Sequence, residues 1–212
     1  MKKTYLFDFD GTLVDSMPTF GSMMKRILDE NGIKYGEDIV KIITPLGYLG
    51  TAKYFIELGL SKTTDELVKT MQDYAKVEYE LHIPEKKDVS KTLSLLKEKG
   101  ASLNVQTASP HSLLDPCLKR LGIYDLFDNV WSSDDFGTTK ANPEIYKMAA
   151  ERMGVTIEEV HFVDDNIGAV KTAKTAGAVA YGIYDESSKD YVEDIKKVAD
   201  YYVNEFSELN SL

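Results

Sequence analysis

The chain has 212 residues, of which 43% are hydrophobic and 28% charged, a balance typical of a globular protein with a sizeable core. Its net charge of −10 argues against nucleic acid or an anionic membrane as the main partner, and no stretch reaches the ~18 consecutive apolar residues of a membrane span. The single Cys117 cannot form an internal disulfide, which favours the reducing cytoplasm.

In chain order, the first predicted element is a short strand, TYLF at residues 4–7, which ends in the carboxylates of Asp8 and Asp10. Residues 16–86 then show helical periodicity and no convincing strand, and helices are predicted at 18–30, 37–43, 48–58 and 64–81. We expect this block to form a separate helical domain inserted after the first strand. Its apolar side chains at helical spacing are expected mostly to pack inside it, namely Met17, Phe20, Met23 and Met24.

After the helical block, strands and helices alternate. Strands are predicted at 101–107, 130–133, 159–165 and 178–184, and helices at 89–99, 110–122, 143–153 and 168–176. The tail from Asp190 is predicted to form one or two amphipathic helices. Such alternation predicts an α/β fold with a parallel, doubly wound (Rossmann-like) sheet. The core domain would then comprise residues 1–15 and 87–212, and the helical domain residues 16–86.

Polar residues occur where the predicted strands end, which is where a doubly wound sheet binds its ligands. The first strand ends in Asp8 and Asp10, and Lys140 lies just before a helix. Later strands end in Thr107-Ala108-Ser109 and in Asp164-Asp165. Carboxylates are ligands that a hard cation such as Mg²⁺ prefers, and a hydroxyl and an ammonium group can bind phosphoryl oxygens. The set predicts Mg²⁺-dependent phosphoryl transfer.

These motifs together resemble those of the haloacid dehalogenase-like hydrolases. Residues 8–16, DFDGTLVDS, are similar to the first motif of that family, and Thr107 is similar to its second. Lys140 with residues 143–146 resembles the third motif, and residues 163–166, VDDN, resemble the fourth. The four motifs follow the family's order and spacing over most of the α/β part. The resemblance is to the helical-cap branch, which includes phosphoglycolate phosphatases and β-phosphoglucomutases.

The resemblance implies a role for each motif residue. Asp8 would attack phosphorus to form an aspartyl-phosphate, and Asp10 would act as general acid and then general base. Mg²⁺ would be held by Asp8, the main-chain carbonyl of Asp10, Asp165 and, directly or through water, Asp164. The phosphoryl group would be bound by Thr107, Ala108, Lys140 and Gly11. The helical insert would close over the site as a cap that selects the substrate.

The motifs also depart from the family pattern at three positions. Ala141 follows Lys140 where proline is usual, and the fourth motif has Asp164 in place of glycine and Ala169 in place of a second aspartate. The Asp164-Asp165 pair resembles the Glu-Asp form of the β-phosphoglucomutases, so Asp164 is expected to replace the lost carboxylate. The division of labour between Asp164 and Asp165 stays open at this stage.

The sequence thus predicts a cytoplasmic, monomeric phosphatase of a small phosphorylated metabolite, with neither nucleic acid nor membrane as partner. The alternative is a β-phosphoglucomutase-like phosphosugar mutase. It is disfavoured because a mutase needs basic cap residues and the turn at 44–54 offers only Lys53. Dehalogenation is disfavoured by the presence of Asp10, and a purely binding role by the intact set of motif residues. His82, His111 and His161 lack metal-ligand spacing and are expected to be structural or at the surface.

Overall fold

The structure, a computed structural model, describes residues 3–212, with the side chain of residue 45 left aside. The chain forms two compact units: one contains the segment up to Asp15 together with Pro84–Leu212, and the other is Ser16–Ile83. Within the described residues, no helix is both long enough and apolar enough to span a bilayer.

The unit Ser16–Ile83 is helical, as the periodicity predicts. Its helices are α1 (Met17–Glu30), α2 (Ile39–Ile43), α3 (Gly47–Glu57) and α4 (Thr64–Leu81). Helix α4 begins with a capping box, in which the amide of Glu66 donates to the Thr63 hydroxyl at 3.3 Å and the Glu66 carboxylate accepts from the Thr63 amide at 2.8 Å. Met23 and Met24 are buried, while the half-buried Phe20 ring stacks on Tyr48 with centroids 6.4 Å apart.

The other unit is built on six parallel strands, which confirms the predicted doubly wound α/β fold. The strands are β1 (Thr4–Phe7), β2 (Ser102–Thr107), β3 (Asn129–Ser132), β4 (Val160–Asp164), β5 (Val179–Ile183) and β6 (Tyr201–Val203), in the spatial order β3-β2-β1-β4-β5-β6. Strand β1 lies between β2 and β4, so that Phe7 is paired with Val105 on one side and with Val163 on the other. The carboxyl ends of β1, β2 and β4 are therefore neighbours.

Helices pack against this sheet because its strands alternate their side chains between two apolar faces. The helices are α5 (Val89–Glu98), α6 (His111–Arg120), α7 (Glu144–Met153), α8 (Ile167–Ala176) and α9 (Val192–Val198). On one face, Leu6 and Phe162 share a fully buried cluster with Tyr146 of α7. Phe7 points to the opposite face, where its ring lies 5.5 Å from that of Phe206.

The tail differs from the prediction of one or two helices. A 3₁₀ turn at Glu186–Tyr191 leads into the short helix α9, then into strand β6 (Tyr201–Val203), and a second 3₁₀ turn follows at Phe206–Ser211. Strand β6 has only three residues, too few to show alternation in the sequence. It exists because the backbone groups at the edge of β5 pair with it, Ile183 opposite Val203.

His82 is exposed at the surface, and the other two histidines bind neighbouring side chains. At the start of α6, His111 Nδ1 is 2.8 Å from Asp115 Oδ1 and its Nε2 is 2.8 Å from Asp135 Oδ2. These hydrogen bonds, the one to Asp115 above all, raise the pKa of His111 although partial burial opposes the shift. His161 Nδ1 lies 3.0 Å from the Tyr181 hydroxyl. His111 thus ties α6 to the turn that follows β3.

Candidate active site

A tight turn follows strand β1 and carries the first motif. The amide of Asp8 donates to the Val163 carbonyl at 2.9 Å, which continues the pairing of β1 with β4 for one more residue. The chain then reverses, and the Leu13 amide donates to the Phe9 carbonyl at 2.9 Å. Gly11 has φ +78°, a backbone conformation in which other residues are strained. The fully buried Phe9 ring anchors the turn.

Three buried carboxylates meet at the ends of β1 and β4. Asp8, Asp164 and Asp165 have 5%, 0% and 7% of their surface exposed, and each offers an oxygen atom within 4.8 Å of the others. Burial raises the pKa of Asp8 to about 7, with the Asp164 and Asp10 charges adding to the shift and Lys140 opposing it. Burial also raises the pKa of Asp165 well above its usual range, assisted by Asp164 and Asp8.

Lys140 supplies the positive charge of this cluster. Its ammonium group contacts the Asp8 carboxylate and donates to Asp164 Oδ2 at 2.8 Å, with 14% of the side chain exposed. Burial alone would lower the pKa of Lys140, but the carboxylates of Asp164 and Asp8 raise it above its usual value, so this side chain stays charged. Its carbonyl accepts a hydrogen bond from the Tyr146 hydroxyl at 3.2 Å, which fixes the loop before α7.

The acidic cluster fits a divalent metal ion. Its donor atoms are all carboxylate oxygens, which is the ligand type of hard cations and not the nitrogen and sulfur set typical of zinc. Three carboxylates buried around a single ammonium group leave negative charge uncompensated, and a buried charge is costly unless it is paired. A divalent cation held between Asp8, Asp164 and Asp165 would remove that cost.

Asp10 lies beside this cluster, but its carboxylate does not belong to the group formed by Asp8, Asp164 and Asp165. It is half-buried and accepts a hydrogen bond of 2.5 Å from the hydroxyl of Ser109, which follows strand β2. Asp8 and Asp10 therefore have different surroundings: the first faces an ammonium group and two carboxylates, the second a hydroxyl. Sequence reasoning placed Ser109 at a strand end but assigned it no role, because only the proximity of β2 to β1 makes it a partner of Asp10.

The second motif is held rigidly at the end of β2. Thr107 is 1% exposed, and its hydroxyl oxygen accepts from the Ser109 amide at 3.0 Å. Its carbonyl accepts from the Ser133 hydroxyl at 3.0 Å. Ala108 is exposed at the tip of this turn, and Gly11 is buried in the turn after β1. The structure thus places Thr107 and Ala108 at the strand edge that also carries Asp8.

Two contacts around Gly11 and Asp165 were missed by sequence reasoning. The Thr12 hydroxyl donates to Asp165 Oδ1 at 3.3 Å. Lys86, which lies 75 residues further along the chain, donates to the Gly11 carbonyl at 2.6 Å. Thr12 belongs to the first motif and could have been suspected from it. No local pattern marks Lys86, which lies in the charged stretch PEKKD.

Comparison with known proteins identifies the family to which this site belongs. The sequence profile of the haloacid dehalogenase-like hydrolases matches residues 5–183. A phosphorylated carbohydrates phosphatase from Thermotoga maritima is 27% identical, with 81% of this chain and 80% of the relative covered. A phosphoglycolate phosphatase from Escherichia coli O157:H7 is 30% identical, with 84% and 79% covered.

A solved structure shows the same fold. It is that of a candidate beta-phosphoglucomutase from Thermotoga maritima, which superposes with a TM-score of 0.83 at 25% identity and covers 100% of this chain and 97% of its own. The profile match spans most of the chain, including Asp8, Thr107, Lys140 and Asp165. The chain belongs to the haloacid dehalogenase-like hydrolase family.

Proposed function

We propose that the protein is a Mg²⁺-dependent phosphatase that hydrolyses a small phosphorylated metabolite through an aspartyl-phosphate on Asp8. The observation that carries this proposal is the buried Asp8 carboxylate, held between the Lys140 ammonium group and the Asp164-Asp165 pair. The names of the two relatives, a phosphorylated carbohydrates phosphatase and a phosphoglycolate phosphatase, support the reaction class.

In the first proposed step, a carboxylate oxygen of Asp8 forms a bond to phosphorus while the bond from phosphorus to the ester oxygen breaks. Burial raises the pKa of Asp8 to about 7, and its contact with Lys140 favours the ionised carboxylate and fixes its orientation. Asp10 gives its proton to the leaving oxygen, which departs as an alcohol. The product is an acyl phosphate on Asp8 and an ionised Asp10.

In the second step, Asp10 takes a proton from a water molecule whose oxygen bonds to phosphorus while the bond between Asp8 and phosphorus breaks. This releases inorganic phosphate and restores both carboxyl groups. The hydroxyl of Ser109, at 2.5 Å from Asp10 Oδ2, keeps that carboxylate in place through both transfers. One group thus serves as acid and then as base, which a freely rotating side chain would do poorly.

The metal would be held by Asp8, Asp165, Asp164 and the main-chain carbonyl of Asp10. When bound, Mg²⁺ supplies positive charge next to the phosphoryl oxygens, where negative charge accumulates during the transfer. Asp164 also accepts from Lys140 at 2.8 Å, so it has a second task, which is to orient the ammonium group. We assign the direct carboxylate contacts first to Asp8 and Asp165.

The remaining motif residues would bind the substrate. Thr107 would offer its hydroxyl and Ala108 its main-chain amide to the phosphoryl oxygens, and Lys140 its ammonium group. The Gly11 amide already donates to the Val14 carbonyl at 2.9 Å, so Gly11 would contribute by shaping the turn beside the phosphoryl group and not as a donor. We further propose that the helical unit Ser16–Ile83 acts as a cap that admits the substrate and excludes water during the reaction. We also propose that the protein is monomeric and located in the cytoplasm.

The test is phosphate release from a panel of small phosphorylated metabolites, including phosphoglycolate and sugar phosphates, with and without Mg²⁺. We expect release to require Mg²⁺ and to fall on the order of 10³-fold or more in Asp8→Asn, which lacks the nucleophile. Asp125→Asn removes an exposed carboxylate of the same unit and should retain activity. Absence of Mg²⁺-dependent release across the panel, or full activity of Asp8→Asn, would refute the proposal.

A phosphosugar mutase is the second candidate, and Asp164 favours it. An acidic residue at this position resembles the Glu-Asp form of the mutases, and the solved structure with a TM-score of 0.83 is described as a candidate of that class. A mutase would convert glucose 1-phosphate to glucose 6-phosphate only when a sugar bisphosphate primes it. Conversion under those conditions, faster than phosphate release, would replace the phosphatase assignment.

A further inference from the structure

The segment by which the chain returns to the α/β unit is paired with the first motif. The chain leaves this unit after Asp15 and returns at Pro84, whose carbonyl accepts from the Asp15 amide at 3.0 Å. One step further, Val14 and Glu85 form an antiparallel bridge, and the Lys86 amide donates to the Leu13 carbonyl at 2.9 Å. The segment that leaves the unit, 13–15, and the segment that returns to it, 84–86, thus pair in a short ladder that ends at Lys86.

The side chain of Lys86 continues from this ladder into the unit. Its ammonium group donates to the Gly11 carbonyl at 2.6 Å, to the Tyr184 carbonyl at 2.7 Å and to Asp185 Oδ2 at 2.9 Å. The Lys86 side chain is 18% exposed and that of Asp185 only 5%. The next residue, Lys87, is 73% exposed and bridges to a surface glutamate. Two adjacent lysines therefore have opposite environments.

All the hydrogen-bonding capacity of Lys86 is used in these contacts. An ammonium group has three donors, and Lys86 has three acceptors at 2.6–2.9 Å. No donor is left to bind a phosphoryl oxygen, so Lys86 is not a substrate ligand of the kind proposed for Lys140. Its contacts instead fix two main-chain carbonyls, one in the turn after β1 and one in the loop after β5.

The turn that Lys86 holds is the support of Asp165. Gly11 lies so close to this carboxylate that a Cβ atom on Gly11 would be 2.8 Å from its atoms. The next residue, Thr12, donates its hydroxyl to Asp165 Oδ1 at 3.3 Å. A shift of the turn would therefore move Asp165 relative to Asp8.

We propose that Lys86, anchored by Asp185, is a positioning residue that fixes the Gly11–Thr12 turn and thereby sets the place of Asp165 in the metal cluster. This inference rests on the proposed function for its effect on turnover, but not for its effect on metal binding. Its structural basis is that one ammonium group joins the first motif, the loop after β5 and the returning segment of the chain.

The test compares Lys86→Met with Lys87→Met, which removes the adjacent exposed charge. Mg²⁺ binding is measured by isothermal titration calorimetry, kcat and KM by phosphate release, and folding by urea denaturation. Loss of an outer-shell partner typically lowers metal affinity or activity about 10–100-fold. We expect a loss of that size in Mg²⁺ affinity and kcat for Lys86→Met, with little change in KM, and wild-type values for Lys87→Met.

Asp185→Asn serves as the second variant, because it keeps the size of the anchor and removes its charge. We expect a smaller loss of Mg²⁺ affinity there. Wild-type Mg²⁺ affinity in folded Lys86→Met, or in Asp185→Asn if Lys86→Met does not fold, would overturn the inference. A wild-type protein that binds Mg²⁺ but releases no phosphate would refute the phosphatase proposal alone. The Mg²⁺ affinities of the variants could still be compared with that of wild type, so the inference about Lys86 would still be tested.

Discussion

Replacing Gly11 by alanine separates backbone strain from displacement of the acidic cluster. Gly11 has φ +78°, and an added Cβ atom would lie 2.8 Å from the Cγ and both carboxylate oxygens of Asp165. Gly122, just after α6, has φ +72° with no heavy atom within 4 Å of a built Cβ. Gly122→Ala therefore introduces the same strain without the collision, and it is the matched control.

The magnitudes follow from the two geometries. A residue with a Cβ in this left-handed region costs about 1–2 kcal/mol, so both variants should lose that much free energy of unfolding. In a chain of this size the loss corresponds to about 2–4 °C in Tm per kcal/mol. In Gly11→Ala alone, the Asp165 carboxylate must also move from 2.8 Å to the 3.4 Å or more of an ordinary contact. Misplacement by about 1 Å near reacting groups lowers rates about 10²-fold.

The assays are urea denaturation, phosphate release at saturating Mg²⁺, and calorimetric titration with Mg²⁺. We expect Gly122→Ala to be destabilised and fully active, and Gly11→Ala to be destabilised at least as much, with kcat reduced about 10²-fold and weaker Mg²⁺ binding. Wild-type kcat and metal affinity in Gly11→Ala would show that Asp165 does not depend on the close approach of this turn, and the reasoning would be wrong.

Three further predictions concern stability. Phe162→Ala should lower the free energy of unfolding by about 3–5 kcal/mol, because this ring is fully buried and packs edge-to-face on Tyr146 at 4.8 Å; a loss below 1 kcal/mol in urea denaturation would contradict the packing argument. Thr63→Ala should cost about 1 kcal/mol by removing the cap of α4, and an unchanged urea midpoint would show that the cap is dispensable. The raised pKa of His111 means that its stabilisation is complete below its unfolded pKa of about 6.5 and is lost as pH rises through the folded value. The difference in free energy of unfolding between wild type and His111→Asn should therefore be larger at pH 6 than at pH 9. An equal difference at both pH values would refute the raised pKa of His111.

Local patterns were sufficient for most of the fold. The four helices of residues 16–83 and the alternation after Pro84 were predicted from periodicity and from glycines at helix ends, since these signals lie within a few residues of each element. The prediction failed at the tail. Strand β6 has three residues and depends on pairing with β5, so its conformation is decided by a partner that the local sequence does not specify.

The sequence predicted those site residues that lie directly at the end of a strand. Asp8, Thr107 and Asp164 all occur where an apolar run ends, and parallel strands place such ends on one edge. The different surroundings of Asp8 and Asp10 were not readable from DFDG. Only the turn after β1 places Asp10 beside the Ser109 hydroxyl and leaves Asp8 against Lys140.

The sequence by itself determined the type of the elements before the tail, the parallel sheet and the carboxylates and lysine that a phosphoryl-transfer site requires. These follow from hydrophobic period, turn residues and donor chemistry, all of which are local. The tertiary structure decided which groups meet: β4 lies beside β1 although the two are more than 150 residues apart, and Lys86 reaches Gly11 across 75 residues. Such contacts depend on the order of strands in the sheet and on where the chain re-enters the unit, and neither is encoded in a short stretch of residues. For that reason the carboxylates of DFDGT can be recognised in the sequence, whereas the groups that they contact can be identified only in the folded structure.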